Sequence, residues 1–263
     1  MTPDPMLFTG QVALITGASH GIGAATARLL ASLGAAVAVN YHHDARAAAA
    51  VTDDIRATAG RAVPFGADVT DAEAVSRLVA EVTAALGPID VLVLNAAGIV
   101  RPARAPLLQM PQDVLEQAVL AQLRAVVLTA RAVGTGMAAA GAGSIVVVSS
   151  GLARDPQPGC ADVAVAKAAI EGAARVLARE LDRTGYGSTS SPPGPPLPAP
   201  SRGPVTRIAA AGRPGRRWAV TPASATWPAR SRCWPRRWPA SAPAPTCPPA
   251  AARSCPDRVA TIR

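Results

Sequence analysis

The chain has 263 residues, with 26 lysines and arginines against 17 acids, 49% hydrophobic residues and only 3% aromatics. That length admits one large α/β domain or two small ones, with a core of Val, Leu, Ile and Ala rather than aromatic rings. The apolar stretch 12–39 is broken by His20, Arg28 and several glycines, which excludes a membrane span there. The opening MTPDPMLFTG lacks the basic and apolar regions of a signal peptide, so the expected setting is soluble and cytoplasmic.

QVALIT (11–16) is an apolar run of strand length, and GIGAATARLLASLG (21–34) follows at helical spacing, closed by Gly34. AAVAVN (35–40) predicts a second strand, and DARAAAAVTDDIRATAG (44–60) a second helix ending in glycine. RAVPFGADV (61–69) predicts a third strand and its exit loop. Thr70 and Glu73 fit a Thr-x-x-Glu capping box. Behind them Val75, Leu78, Val79, Val82 and Leu86 recur at helical spacing, and Gly87-Pro88 ends the helix. IDVLVLN (89–95) predicts a fourth strand, 111–140 a long helix, SIVVVSS (144–150) a fifth strand and 161–184 a further helix. Strands alternating with helices predict an α/β fold: a Rossmann-type doubly wound parallel sheet with right-handed crossovers. The near-continuous apolar strands fit a sheet covered on both faces.

The first strand leads into TGASHGIG (16–23). Gly17 suits a tight turn, Gly21 lets backbone approach a pyrophosphate, and Gly23 lets the helix pack closely. The helix N-terminus beyond offers free N–H groups to phosphate. A glycine-rich turn without a ligand is the plainer alternative, but the place between strand and helix favours a nucleotide.

With these residues the sequence resembles the short-chain dehydrogenase/reductase family, over about residues 8–187. The glycine spacing is that family's TGxxxGxG. Asp68-Val69 stands where the family contacts adenine, and NAAG (95–98) is similar to its NNAG motif. Ser150 and Lys167 stand at the intervals of its Ser…Tyr-x-x-x-Lys pattern around position 163. VNYHHD looks most like the 3-oxoacyl-carrier-protein reductase type. The resemblance implies cofactor contacts at Gly17, Ser19, Gly21, Ile22, Gly23, Asn40, Asp68, Val69, Asn95, Ala96, Gly98 and Lys167. It implies catalytic roles for Ser150, which would hold a substrate oxygen, and for Lys167, which would bind the nicotinamide ribose and lower the pKa of a tyrosine. It further implies a small carbonyl or alcohol substrate and a homodimer or tetramer built through the helices 111–140 and 161–184.

Three departures stand against full activity. The tyrosine position is Val163, which has no proton to give. Gln122 replaces the asparagine that supports the family's proton relay. After Gly187 the composition changes abruptly. Lys167 is the chain's sole lysine, so a solvated helix cation is its plainer reading, yet its interval from Ser150 favours the cofactor. The second strand ends on Asn40 rather than on the acid that NAD users commonly place there to hold the ribose 2′-hydroxyl. An uncharged end accepts a 2′-phosphate better, so NADP is expected, with NAD as the alternative. His20, His42 and His43 are candidates to approach that phosphate, or are ordinary surface histidines.

The net charge of +9 is a property of the end of the chain. After residue 187 there are twelve arginines and one acid, Asp257, so that segment carries +11 and the body −2. The same segment holds 17 of the 26 prolines and all four tryptophans. Such a composition does not bury enough apolar surface to offset its ordering entropy. The expected organisation is a dinucleotide-binding domain over 1–187, lacking the family's C-terminal strands, and a disordered Pro/Ala/Arg-rich tail over 188–263. A slipped reading frame in a GC-rich gene gives such a shift. RSRCWPRRWP (230–239) suggests nucleic-acid or membrane-surface binding, but a solvated biased segment is the preferred reading. Cys160, Cys233, Cys247 and Cys255 form no C-x-x-C pair, so no metal site is expected. Two functions follow: an NAD(P)-dependent oxidoreductase of impaired activity, or a catalytically inactive cofactor-binding or assembly module, whether pseudoenzyme or damaged gene product.

Overall fold

The computed structural model describes residues 6–97, 103, 105–184 and 221–225. The chain divides into two compact units, Met1–Ser224 and Ala225–Arg263, and all described residues but Ala225 belong to the first. The strands are β1 (Val12–Ile15), β2 (Ala36–Tyr41), β3 (Arg61–Gly66), β4 (Val91–Leu94), β5 (Ser144–Ser150) and β6 (Thr221–Ala225). Its α-helices are α1 (Gly21–Ser32), α2 (Ala45–Ala57), α3 (Ala72–Leu86), α4 (Gln112–Ala140) and α5 (Ala161–Thr184). The sheet order is β3-β2-β1-β4-β5-β6. The pairs β1–β2, β1–β4, β2–β3 and β4–β5 are all parallel. The strand order reverses between β1 and β4, the place where open α/β sheets bind ligands.

The apolar runs become strands buried on both faces, with successive side chains dividing between two cores. Ala13 and Ile15 of β1 join Val37 and Val39 of β2 beneath Ala27 and Leu30 of α1 and Val51 and Ile55 of α2. Val12 and Leu14 join Leu92 and Leu94 of β4 beneath Val75, Leu78 and Val82 of α3, Val126 and Val133 of α4 and Ile170 of α5. Helix α4 is long and apolar enough to cross a membrane by length and composition. In this fold its row Ala125, Val126, Ala130, Val133 and Met137 is buried in the second core.

Two expectations are revised. Helix α3 is capped not by Thr70 but by Asp71, whose carboxylate accepts the Ala74 N–H at 2.7 Å. The Thr70 hydroxyl is turned the other way and donates to Asp68 at 2.8 Å. The sequence predicts no strand after β5, yet Thr221–Ala225 forms a strand of five residues at that edge of the sheet. Pro222 is compatible with such a place, because one side of an edge strand has no ladder partner and a donor missing on that side leaves no bond unmade. Residues 185–220 and 226–263, on which the expectation of a disordered tail falls, lie outside the described residues.

Candidate cofactor and catalytic site

The glycine loop joins β1 to α1 and is held by long-range hydrogen bonds. Gly17 and Gly21 have φ of 60° and 53°, the left-handed region that disfavours a side chain. A Cβ on Gly23 would stand 2.5 Å from the Gly17 carbonyl oxygen and 2.6 Å from Asn95 Nδ2, so close packing admits only glycine there. A Cβ on Gly21 would meet nothing within 4 Å. The backbone at Gly21 thus faces open space, as a pyrophosphate cradle requires. Helix α1 has no side-chain cap and no acid in its first turn, whereas α2 and α3 are capped by Asp44 and Asp71. The first N–H groups of α1 are left for another acceptor. Ser19 is half-buried, and Ile22 is exposed at the start of α1.

Thr16 fastens this loop to β4. Its hydroxyl accepts the N–H groups of Asn95 and Ala96 at 3.0 and 3.1 Å and donates to the Val93 carbonyl at 3.3 Å. The Asn95 amide donates to the carbonyls of Thr16 and Gly17 at 3.0 and 2.9 Å. Asn95 is therefore a clamp on the loop. The sequence alone does not single out Thr16; the TG opening of its motif is the signal that marks it.

At the β2 end the residue expected at the ribose is turned inward. The Asn40 side chain is buried, its oxygen accepting the Gly17 N–H at 3.2 Å. Its nitrogen donates to the carbonyls of Phe65 and Ala67 at 3.3 and 3.1 Å. That amide ties β2 to the glycine loop and to β3. The exposed groups at this corner are histidines. His20 stands 3.2 Å from Asp44, His42 stands 3.8 Å from Asp68, and the His42 and His43 rings stack at 3.6 Å. Burial pushes the Asp68 carboxyl up, but the two Thr70 hydrogen bonds and the His42 and His43 charges outweigh it, and the net shift is downward. Val69 is buried in the core that holds Val75 and Leu78.

The β5–α5 end carries the catalytic candidates. Ser150 closes β5, and its hydroxyl oxygen accepts the Leu152 N–H at 3.3 Å. Lys167 is not a solvated cation: it is 8% exposed and donates to the Val148 carbonyl at 3.0 Å. It thus reaches the same strand two residues before Ser150. Burial lowers its pKa from 10.5 to about 8. Val163 lies one turn earlier on α5, half-buried. The buried Asp162 beside it accepts the N–H groups of Val163 and Ala103 at 2.8 and 2.7 Å. One turn after Lys167, buried Glu171 accepts the Ser149 hydroxyl at 2.9 Å and pairs with Arg154 and Arg175. Gln122 of α4 is buried, and its Nε2 donates to the Ala96 carbonyl at 3.0 Å while Oε1 has no partner. Gly98 lies outside the described residues.

Comparison with known proteins matches this arrangement. Residues 11–195 match the family described as short chain dehydrogenase. A short chain dehydrogenase of Pseudocercospora fijiensis is 38% identical over 187 residues, and the match covers 70% of this chain and 59% of the relative. The 3-oxoacyl-[acyl-carrier-protein] reductase of Synechocystis is also 38% identical, over 71% of this chain and 74% of the relative. The crystal structure of a metagenomic short-chain oxidoreductase in complex with NADP is similar with a TM-score of 0.62 at 36% identity, over 67% of this chain and 79% of that one. With its parallel sheet, its glycine loop and its Ser150–Lys167 pair, the chain belongs to the short chain dehydrogenase family.

Proposed function

We propose that this chain binds NADP(H) along the carboxyl ends of β1, β2 and β4, with its pyrophosphate over the Gly17–Gly23 loop and the N-terminus of α1. The open cradle at Gly21, with Gly23 packed beneath it, carries this reading. The cofactor, when bound, supplies a hydride to a carbonyl carbon or takes one from an alcohol. Lys167 holds the nicotinamide ribose, and Ser150 steadies the substrate oxygen. No group at position 163 donates a proton to that oxygen, so turnover as an NAD(P)-dependent oxidoreductase is impaired. The similarity to the Synechocystis reductase supports a ketoacyl type of substrate. Exposed Leu120 on α4 and Val165 and Val176 on α5 support assembly into dimers or tetramers through those helices. The dinucleotide-binding domain is proposed to span 1–187, with β6 of the low-complexity segment 188–263 added at the edge of its sheet, in a cytoplasmic protein.

A second reading is a catalytically inactive cofactor-binding or assembly module, favoured by Val163 and Gln122. Calorimetry with NADPH and NADH, followed by turnover on a panel of ketones, separates the two. Binding without turnover gives the module; binding with slow turnover gives the impaired reductase. A folded sample that binds neither cofactor at millimolar concentration overturns both.

A further inference from the structure

We propose that Glu171 is a positioning residue for the Ser150–Lys167 pair: its buried carboxylate grips the chain on both sides of Ser150 and so fixes where the two functional groups stand relative to each other. The inference rests on the site reading above for what that pair does. It adds to the pair a residue that the Ser…Tyr-x-x-x-Lys pattern does not include.

Glu171 is 4% exposed and lies on α5 beside the core residues Ile170 and Ala174. Its Oε1 accepts the Ser149 hydroxyl at 2.9 Å. Its Oε2 stands 3.4 Å from Arg154 Nε and 3.7 Å from a guanidinium nitrogen of Arg175. Ser149 comes directly before Ser150 in β5, and Arg154 directly follows the turn Gly151–Ala153. Within that turn the Arg154 N–H donates to the Gly151 carbonyl at 3.0 Å, and the Ser150 hydroxyl oxygen accepts the Leu152 N–H at 3.3 Å. Ser150 is therefore flanked by two residues that one carboxylate holds.

Lys167 stands one turn before Glu171, on the same side of α5. It donates to the Val148 carbonyl at 3.0 Å, so α5 is bonded to two consecutive residues of β5, Val148 and Ser149. Two bonds one turn apart fix both the rotation of the helix and its height along the strand. Apolar contacts at Ile170 are non-directional and fix neither alone.

The cost of this arrangement argues for a role beyond packing. A carboxylate taken out of water is unfavourable unless it is paired and hydrogen-bonded. A well-packed apolar side chain of similar volume holds a helix on a sheet without that cost. Arg154 and Arg175 offset the charge from the surface, where their own side chains stay mostly in water. What the carboxylate contributes in return is direction, at the level of the chain where Ser150 and Lys167 must face one place.

Lys167 is the sole lysine of the chain, so labelling lysine with a nitrogen isotope gives one ε-ammonium resonance by NMR, with no cofactor required. Glu171→Leu is expected to shift that resonance or lose it to solvent exchange. The same variant is expected to weaken NADPH binding in calorimetry about tenfold, the loss of roughly one hydrogen bond to a charged group. Its urea midpoint is expected to stay close to native, since an apolar replacement removes the desolvation cost. Glu171→Gln still accepts the Ser149 hydroxyl and is expected to restore both the signal and the affinity. Ser149→Ala releases β5 with a minimal change of volume and is expected to move the lysine signal as Glu171→Leu does; it decides the matter should the leucine variant not fold. A folded leucine variant with the native lysine signal overturns the inference, whether or not its midpoint falls, because Glu171 then acts on the fold alone. A glutamine variant as impaired as the leucine variant overturns it too, because the bond to Ser149 is then not the device. A folded native chain that binds neither cofactor overturns the dinucleotide reading instead, and the lysine signal alone then decides for or against Glu171.

Discussion

The carboxyl edge of the sheet has two halves, and they differ in completeness. Around β1, β2 and β4 the polar side chains interlock. Thr16, Asn40 and Asn95 each join two or more segments, and the glycine loop is fixed before any ligand arrives. Around β5 and α5 the frame is equally well built, with Asp162 and Glu171 buried and bonded. On the proposed reading, what it lacks is the proton donor that the family resemblance puts at position 163. Val163 occupies its place on α5 with Lys167 correctly buried one turn on. Ligand binding is written into backbone geometry and many hydrogen bonds, so single changes rarely erase it. On the proposed reading, proton transfer resides in one side chain and is lost with one substitution.

The largest expected effect comes from restoring that group. Val163→Tyr is expected to raise ketone reduction by ~10²–10⁴-fold, the usual range for a positioned general acid. Steady-state rates with NADPH, native against variant, measure it. The native chain already reducing ketoacyl substrates at the restored rate would break the comparison, because the proton would then come from elsewhere.

Much of this was legible in the sequence, for local reasons. Apolar runs of strand length, helical spacing and terminal glycines predict the order of β1 to β5 and α1 to α5, because each signal lies within its own element. The glycine loop was legible too, since φ at Gly17 and packing at Gly23 are local demands. The rest depends on partners far along the chain. The Thr16 hydroxyl meets residues 77 to 80 positions away, and the Asn40 amide meets residues 23 to 27 positions away. The capping box at Thr70 failed because Asp68 captures the hydroxyl that the pattern assigns to α3. β6 lies in a proline-dense stretch whose composition hides five extended residues.

The second effect concerns Lys167. Burial lowers its folded pKa to about 8, below the unfolded value of about 10.4. The unfolded chain therefore binds more protons between these values, and stability rises with pH across that window. Below about pH 8 the full cost of the buried charge is present, on the order of 3 kcal/mol. Lys167→Met keeps the volume and removes the charge. It is expected to stabilise the fold at pH 7 by about 1–3 kcal/mol, less the lost bond to Val148, with the gain fading toward pH 10. Urea unfolding at pH 7 and 9.5 checks the sign. A variant less stable than the native chain at pH 7 would mean that the Val148 bond outweighs the desolvation. The expected loss of NADPH affinity in the same variant would identify Lys167 as a strained functional group rather than a structural one.

The smallest effect probes the interlocked half. Thr16 is 1% exposed, and valine nearly reproduces its shape, so Thr16→Val opens no cavity. It removes one acceptor, leaving the Asn95 and Ala96 N–H groups without the oxygen they share at 3.0 and 3.1 Å. The Asn95 N–H keeps the Val93 carbonyl at 3.1 Å, so only the Ala96 N–H is left without an acceptor. An unsatisfied buried donor costs about 1–3 kcal/mol, and this one is only partly buried, so a loss of about 1 kcal/mol is expected. The urea midpoint should fall with the slope unchanged, because the surface exposed on unfolding is the same. NADPH affinity should fall as well, since β4 no longer steadies the loop that faces the pyrophosphate. If the midpoint falls and the affinity does not, the hydroxyl supports the fold alone, and the Asn95 amide bonds to Thr16 and Gly17 hold the loop without it.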